Sequence, residues 1–162
     1  MPVKILRARL KDAYSISKLE CDCYKIKWHP YALWVWTRAT KLWWPLKAVD
    51  RGKIIGGTLA LPTKDPRMIY IDTLFVHKNY RRSGIAKRLV DRIMKDTHAT
   101  RIQADVAIRP PVEASLTLFK KLGFRKLKTM KNYYRENRDY TLFELRRNKF
   151  RNRKEKIVRS RN

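Results

Sequence analysis

The stretch that decides the fold runs Val76-His77-Lys78-Asn79-Tyr80-Arg81-Arg82-Ser83-Gly84-Ile85-Ala86. The residues before it, Met68–Val76, are rich in β-formers, and residues 84–95 carry apolar side chains at helical spacing. A turn between a strand and a helix presents unpaired backbone N–H groups at the positive end of the helix dipole. Small residues at Gly84 and Ala86 let phosphate oxygens approach the backbone. The turn therefore predicts a phosphate or pyrophosphate site, to which basic side chains add charge: Arg81, Arg82 and Lys87.

The segments around this turn predict one ordered series of strands and helices. A strand and two helices come first, followed by three strands, the helix after the turn, a further strand, a helix that ends at Gly123, and a final hairpin. The predicted strands cover residues 3–8, 46–49, 54–61, 68–76, 101–108, 125–134 and 139–146, and the predicted helices cover residues 10–24, 84–95 and 110–122, with one more between Lys27 and Pro45.

Length and composition predict a single domain. A chain of 162 residues with an apolar fraction of 44% can fill one core. We predict a domain over residues 1–146 and a basic tail over residues 147–162. The sequence has no apolar run of roughly 18 residues and no apolar stretch near Met1 that could act as a signal peptide. These features predict a soluble, cytoplasmic protein without membrane contact.

The formal net charge of +26 comes from 40 Lys and Arg against 14 Asp and Glu. Residues 146–162 hold nine of the basic residues and one acidic residue, Glu155, which leaves +18 on the rest of the chain. An ion-pair network would need comparable numbers of acids and bases. Unpaired positive charge of this size repels itself unless a polyanion is bound. The charge therefore predicts contact with RNA, and a generic basic surface is the alternative.

Aromatic residues cluster between Lys27 and Pro45: Trp28, Tyr31, Trp34, Trp36, Trp43 and Trp44. A small sheet needs large side chains to cover it, so we interpret this cluster as core and lid packing rather than as a platform for stacking bases. Cys21 and Cys23 lie two apart in a predicted helix and point to different faces, which predicts neither a disulfide nor a metal site. The histidines have no spacing that pairs them and are predicted to face solvent: His29, His77 and His98.

The pattern Arg81-x-x-Gly84-x-Ala86 resembles the coenzyme A signature of GNAT acyltransferases, Gln/Arg-x-x-Gly-x-Gly/Ala, and the predicted order of elements from Val3 to Arg146 is similar to the fold of that superfamily. The resemblance implies an α/β (α+β) class, with a central mixed, mostly antiparallel sheet of about seven strands flanked by four helices. Three segments resemble protein N-terminal acetyltransferases, including the ribosomal-protein alanine type: Tyr80-Arg81-Arg82, Leu118-Phe119-Lys120-Lys121-Leu122-Gly123-Phe124, and the Tyr133-Tyr134 pair before Asp139.

The resemblance also implies roles for individual residues. Acetyl-CoA would be the cosubstrate, with no metal, and backbone groups of Leu74, Phe75 and Val76 would hold its acetyl carbonyl and pantetheine arm where two strands separate. Tyr133 and Tyr134 would contact the acceptor substrate. The turn would hold the pyrophosphate through Arg81, Arg82, Ser83, Gly84, Ile85, Ala86 and Lys87.

Three positions depart from the family pattern for acid and base catalysis. Phe119 stands where members often carry the Tyr that protonates the leaving thiolate. Val112 and Ala107 stand where members carry an Asn and a His or Glu. The usual helpers are therefore missing, and the catalytic candidates that remain are Tyr70, Asp72 and Asp105.

Tyr70 matches the strand position where other members carry a Glu or Tyr base, and Asp72 and Asp105 are expected on the same face of the sheet. A Tyr with a pKa of about 10 is a poor base at neutral pH, so Tyr70 is expected to order a water. The alternative for all three is an ordinary structural role. An α-amine with a pKa of about 8 is partly neutral already, whereas a lysine near about 10.4 needs a stronger base. The site therefore favours an α-amine acceptor over a lysine.

Charge is the remaining guide to the acceptor, because basic residues crowd the last helix and hairpin: Lys120, Lys121, Arg125, Lys126, Lys128 and Lys131. The leading hypothesis is an acetyl-CoA-dependent N-acetyltransferase that acts on the N-terminal α-amine of a ribosomal or other RNA-bound protein. Two alternatives stay open. One is acetylation of an amine carried by RNA, such as the aminoacyl group of a tRNA, and the other is a catalytically weak GNAT-fold module that binds RNA.

Overall fold

The computed structural model of the chain describes residues 2–107, 113–134 and 138–147, and within these ranges the backbone forms seven strands and four α-helices. The predicted order of elements is confirmed, and two predicted strands agree with the observed ones residue for residue, β4 and β6. The strands are β1 Lys4–Arg7, β2 Trp44–Asp50, β3 Lys53–Pro62, β4 Met68–Val76, β5 Arg101–Ala107, β6 Arg125–Tyr134 and β7 Arg138–Arg146. The helices are α1 Ala13–Tyr24, α2 Pro30–Leu42, α3 Ile85–Thr97 and α4 Glu113–Lys121.

The described strands form one sheet in the order β1-β2-β3-β4-β5-β7-β6. In this sheet β4 and β5 run parallel, and the other neighbouring strands are antiparallel. The predicted mixed, mostly antiparallel sheet is therefore confirmed. The final hairpin inserts β7 between β5 and β6, which leaves β6 at the edge.

Helices cover both faces of the sheet. On one face α3 buries Leu89 and Ile93 completely, and α4 adds Phe119 to the same core. On the other face α1 and α2 bury Ile16 and Trp36. The spacing of three and four residues between buried positions of α3 explains why its apolar stripe was readable in the sequence.

The aromatic cluster before β2 divides between core and surface. The prediction of core packing is confirmed for Trp36, which is fully buried. It is wrong for Tyr31 and Trp34, which are 65% and 50% exposed, because they lie on the side of α2 that faces away from the sheet. Trp44 belongs to β2 rather than to the helical region.

The first helical region also differs from the prediction in detail, since residues Leu10–Asp12 form a 3-10 turn ahead of α1. Cys21 is buried and Cys23 half-buried, and both thiols are free. His29 and His98 are exposed as predicted, whereas His77 is half-buried and accepts a hydrogen bond from a neighbouring backbone N–H. None of the helices in the described ranges combines the length and apolar character needed to span a bilayer.

Candidate active site

The phosphate-binding turn predicted from the sequence has the backbone that such a site needs. Gly84 has a φ of +78° and precedes the first residue of α3, and Arg82 also has a positive φ of +63°. The first hydrogen bond of the helix runs from the Arg88 N–H to the Gly84 carbonyl at 3.1 Å. The amides before Arg88 are therefore the ones that lack partners within the helix. Apart from Gly84 and its chain neighbours, no atom of the described residues lies within 4 Å of the position that a Cβ on Gly84 would take, so the space beside Gly84 is open.

The side chains of this turn divide into two groups. The side chains of Ile85 and Ala86, the first two residues of α3, are buried in the core, so these residues can offer a ligand only their backbone. Arg82, Ser83 and Lys87 are exposed. An anion at the helix N-terminus would therefore meet backbone amides first and cationic side chains at its periphery.

Arg81 is directed away from the turn, toward the end of β4. Its Nε donates to the Val76 carbonyl at 3.1 Å, and its guanidinium lies beside the Cys23 thiol. Desolvation raises the pKa of that thiol, and the neighbouring positive charge opposes the rise. Arg81 thus ties the C-terminal end of α1 to the end of β4, and it contributes charge to the turn without contacting the helix N-terminus.

The two parallel strands separate beside this turn. The β4–β5 ladder runs from Met68–Arg101 to Ile71–Ala104 and ends there, although both strands continue. The His77 N–H donates to the Ile55 carbonyl of β3 at 2.8 Å. Because backbone groups alternate in direction along a strand, those of Leu74 and Val76 face the gap.

Phe75 has the opposite backbone direction, toward Gly57 of β3. Its ring instead packs under α1 and α2, at centroid distances of 6.4 Å from Tyr24 and 6.1 Å from Trp36. The expectation that three consecutive residues offer backbone groups to a ligand therefore has to be corrected: alternation leaves Leu74 and Val76 for that role.

A tyrosine from α1 closes the inner side of the gap. The Tyr24 hydroxyl lies 3.0 Å from the Thr73 hydroxyl and 3.2 Å from the Leu74 carbonyl. Although 47% of the residue is exposed, the hydroxyl itself is held against β4. Desolvation of this group raises the pKa of Tyr24 to about 12, so the phenol stays protonated at neutral pH and can donate a hydrogen bond.

A carboxylate lies behind this tyrosine. Glu20 Oε2 accepts a hydrogen bond from the Trp36 indole at 2.6 Å, and the Glu20 carboxylate is also hydrogen-bonded to the Thr73 hydroxyl. Desolvation, with a further contribution from the negative charge of Asp72, raises the pKa of Glu20 against the opposing effect of these hydrogen bonds. An ionised carboxylate only accepts hydrogen bonds, so Thr73 donates to Glu20 and accepts from Tyr24. The single Tyr24 proton is shared between the Thr73 hydroxyl and the Leu74 carbonyl, and the three residues form a directed series, Tyr24 to Thr73 to Glu20.

Asp72 owes its position to a β-bulge. Leu59 of β3 pairs with Thr73 and Ala60 pairs with Ile71, so Asp72 is an extra residue on β4. The negative charge of Asp72 acts on Glu20, and Asp72 itself is open to solvent. Desolvation of the carboxyl group nevertheless raises the pKa of Asp72. Two carboxyl groups with raised pKa values, Glu20 and Asp72, therefore interact electrostatically near the end of the ladder.

Tyr70 and Asp105 lie on the face of the sheet that α1 covers, and they share one face as the sequence predicts. Tyr70 is half-buried opposite Gln103, and Asp105 follows Ala104, the last residue of β5 that pairs with β4. The residues on either side of them belong to the core on the α3 face: Ile69, Ile71, Ala104 and Val106. Side chains alternate along a strand, so Tyr70 and Asp105 point to the α1 face.

Phe119 is a core residue. Its side chain is 7% exposed and stacks on Phe143 at 5.6 Å, with Phe124 edge-on at 5.0 Å. The position where the resemblance implies a Tyr acid is thus part of a three-ring apolar cluster. Val112 and the side chains of Ala107, Tyr133 and Tyr134 lie outside the described residues, and so does the tail beyond residue 147.

The sequence reasoning missed Glu20 and Tyr24. The signal for them was available, since an acid and a tyrosine four residues apart share one face of a helix. What the sequence could not show is that this face lies over the bulge of β4, because that contact joins residues about 50 positions apart.

Known proteins share this fold. The profile of the Acetyltransferase (GNAT) family matches residues 13–124. A curated relative, the N-alpha-acetyltransferase daf-31 of Caenorhabditis elegans, is 28% identical over 144 residues, which cover 82% of this chain and 76% of the relative. The ribosomal-protein-S18-alanine N-acetyltransferase from Escherichia coli has a TM-score of 0.73 at 14% identity, covering 90% of this chain and 94% of that one. The yncA protein from Salmonella typhimurium, solved with its cofactor acetyl-CoA, has a TM-score of 0.69 at 17% identity, again covering 90% and 94%.

The matched profile spans more than half of the chain, and the fold and the turn at Gly84 agree with it. The chain belongs to the GNAT acetyltransferase family. It is an acetyl-CoA-dependent N-acetyltransferase, and acetyl-CoA is its acyl donor.

Proposed function

We propose that this enzyme acetylates the N-terminal α-amine of a protein in an RNA- or ribosome-associated setting. The observation that carries the proposal is the hydrogen-bonded series Tyr24–Thr73–Glu20, which connects a desolvated carboxylate to the gap between β4 and β5. The curated relative is named as an N-alpha-acetyltransferase, and one structural neighbour as an alanine N-acetyltransferase of a ribosomal protein. Both names support an α-amine as the acceptor.

In this proposal acetyl-CoA lies along the open side of β4 and supplies the thioester carbonyl. The amides of Leu74 and Val76 bind its acetyl and pantetheine groups, because they face the gap. Backbone amides from Arg82 to Lys87 bind the pyrophosphate at the N-terminus of α3. The positive φ of Gly84 and the free space around it fit a phosphate group at this point.

The residues of α1 and β4 then handle the proton of the amine. Transfer forms a C–N bond and breaks a C–S bond, and the α-ammonium group loses two protons, one before its nitrogen attacks and one as the amide forms. The first proton passes to the Tyr24 oxygen while the Tyr24 proton moves through Thr73 to Glu20. The second proton goes to solvent, from which the leaving thiolate takes up a proton. Because its pKa is raised, Glu20 is a stronger base than an ordinary carboxylate.

Asp72 supplies the charge that attracts the acceptor. Its carboxylate is open to solvent beside Glu20, and in a chain of net charge +26 it marks a local negative site. An α-ammonium group is drawn to such a site and is easily neutralised there. A lysine ammonium group has a pKa higher by about 2.4, which adds about 3 kcal/mol to the cost of deprotonation.

Radiolabelled acetyl-CoA tests this proposal. The enzyme is incubated separately with ribosomal particles, tRNA and soluble protein, and each product is treated with nuclease. Label that survives nuclease on the N-terminal residues of ribosomal or RNA-bound proteins supports the proposal. Label that disappears with digested RNA would instead identify an RNA-borne amine as the acceptor. Acetyl-CoA binding without label in any fraction would indicate a catalytically weak RNA-binding module.

A further inference from the structure

The outer face of α2 exposes aromatic rings in an ordered arrangement. Tyr31 and Trp34 are 65% and 50% exposed, and their rings stack with centroids 5.5 Å apart and planes 20° apart. The Arg38 guanidinium lies over the Trp34 ring at 5.1 Å. Positions 31, 34 and 38 form one stripe of a helix. We call Tyr31, Trp34 and Arg38 the stacking face.

A second group of rings and a cation lies on α1 and on the segment just before α2. Trp28 packs edge-on against Tyr14 of α1 at 5.7 Å, and the Lys18 ammonium lies over the Tyr14 ring at 5.8 Å. The Trp28 indole donates to the Ser17 hydroxyl at 3.0 Å, which fixes the segment before α2 to α1. Exposed rings with a cation above them thus occur on both helices.

Folding of this domain does not account for these exposed rings. The core contact of α2 is made by Trp36 and Ala39, which are fully buried on its opposite side. The sequence of α2 contains no acidic residue, and Lys41 continues the stripe beyond Arg38. Flat groups that stack on rings and negative charges that pair with Arg38 and Lys41 are the features that complement this face.

Single-stranded RNA meets both requirements, because its bases stack on aromatic rings while its phosphates contact Lys and Arg. We infer that the stacking face binds single-stranded RNA, with bases on Tyr31 and Trp34 and phosphates on Arg38 and Lys41. The stripe from Tyr31 to Lys41 is about 15 Å long at 1.5 Å per residue, which is enough for several nucleotides. This inference deepens the RNA-associated setting proposed above and does not depend on which amine is acetylated.

The test compares affinities for a single-stranded oligouridylate of about 12 nucleotides and for a duplex RNA of equal length. Trp34→Leu keeps the apolar character but removes the indole, and Trp34→Phe keeps a stacking ring. We expect Trp34→Leu and Tyr31→Leu each to weaken single-strand binding about ten-fold, since stacking of a base is worth about 1–3 kcal/mol. Trp34→Phe retains most of the affinity, and duplex binding is unchanged. Leu42→Ala, an exposed position on the same helix, is the matched control and has no effect.

Three results would overturn the inference. They are an unchanged single-strand affinity in both Leu variants, an equal loss of duplex affinity, or a preference for anionic lipid vesicles over RNA that both Leu variants preserve. Acetylation of a free peptide is measured in parallel with every variant. Loss of RNA binding with full peptide acetylation separates this inference from the proposed function, because the stacking face lies outside the catalytic residues.

Discussion

The Thr73 hydroxyl is the single link between Tyr24 and Glu20 in the proposed proton path, and Thr73→Val removes it with little change of shape. The side chain is almost fully buried, and the hydrogen bond from Thr58 to its backbone carbonyl at 2.8 Å does not need the hydroxyl. Tyr24 retains the Leu74 carbonyl as an acceptor. Stability is expected to fall by about 1 kcal/mol, the usual worth of one hydrogen bond, so the variant folds and its kinetics report on the path.

A positioned general base raises the rate of a reaction about 100- to 10,000-fold. The lower end of this range applies here, because about a tenth of an α-amine with a pKa of about 8 is already neutral at pH 7. We expect kcat for a peptide N-terminus to fall about 100-fold at pH 7 and only about ten-fold near pH 9, where the amine is already neutral. Release of coenzyme A thiol measures both values. The loss of kcat becomes smaller as the pH rises, because more of the amine is then neutral without a general base.

Matched variants decide whether this reasoning holds. Thr73→Ser restores the hydroxyl and should recover most of kcat, while Glu20→Gln should lose as much as Thr73→Val. The double variant should be no slower than either single one, because both interrupt one path. A Thr73→Val enzyme with near-normal kcat at pH 7 would refute the relay. So would a Thr73→Ser enzyme as slow as the valine variant, or losses that multiply in the double variant.

Three further predictions concern stability and coenzyme binding. Because the pKa of Glu20 is raised on folding, stability linked to this group is present below its unfolded pKa and lost as pH rises through the folded value. Glu20→Gln should therefore raise Tm near about pH 8, with a difference that vanishes toward about pH 4 in thermal scans; a constant difference would contradict this. Gly84→Val should abolish acetyl-CoA binding in calorimetry and leave the affinity for single-stranded RNA intact, because a side chain would fill the open space beside Gly84 and a left-handed valine costs about 1–2 kcal/mol. Loss of both affinities would show that the turn does not bind the coenzyme specifically. Phe119→Tyr should lower stability by about 1–3 kcal/mol in denaturant titrations without raising kcat, because its hydroxyl would enter the ring cluster unpaired; a faster enzyme would show that the helix position still reaches the reaction.

The fold could be predicted from the sequence because its signals are local. The helical stripe of α3, the β-rich run of β4 and the turn at Gly84 each lie within about a dozen residues. The phosphate site is predicted from the same segment, and the structure gives that segment the backbone of a helix N-terminus with a left-handed glycine. Two details of this segment could not be predicted. The backbone of Phe75 faces β3 instead of the gap, and the Arg81 side chain is hydrogen-bonded to the Val76 carbonyl instead of lying at the helix N-terminus.

The catalytic side of the gap was only partly predictable. The sequence names Asp72 as a candidate, but its electrostatic effect on Glu20 could not be predicted, because Asp72 occupies a one-residue bulge that no local pattern indicates. Tyr24 and Glu20 were missed because their role arises from packing of α1 on β4. The exposed rings at Tyr31 and Trp34 were misassigned to the core for a related reason, since helical spacing does not show which side of α2 meets the sheet.

The acceptor amine is tested most directly by a peptide that carries both a free α-amine and an internal lysine. The enzyme is given this peptide and acetyl-CoA at about pH 7, and tandem mass spectrometry locates the acetyl group. The α-amine should be acetylated at least about 100-fold faster, because its neutral fraction exceeds that of lysine by more than this factor. Thr73→Val should slow α-amine acetylation of this peptide about 100-fold, as in the assay of coenzyme A release. Lysine acetylation as fast as or faster than that of the N-terminus would contradict the assignment of this enzyme as an N-terminal acetyltransferase.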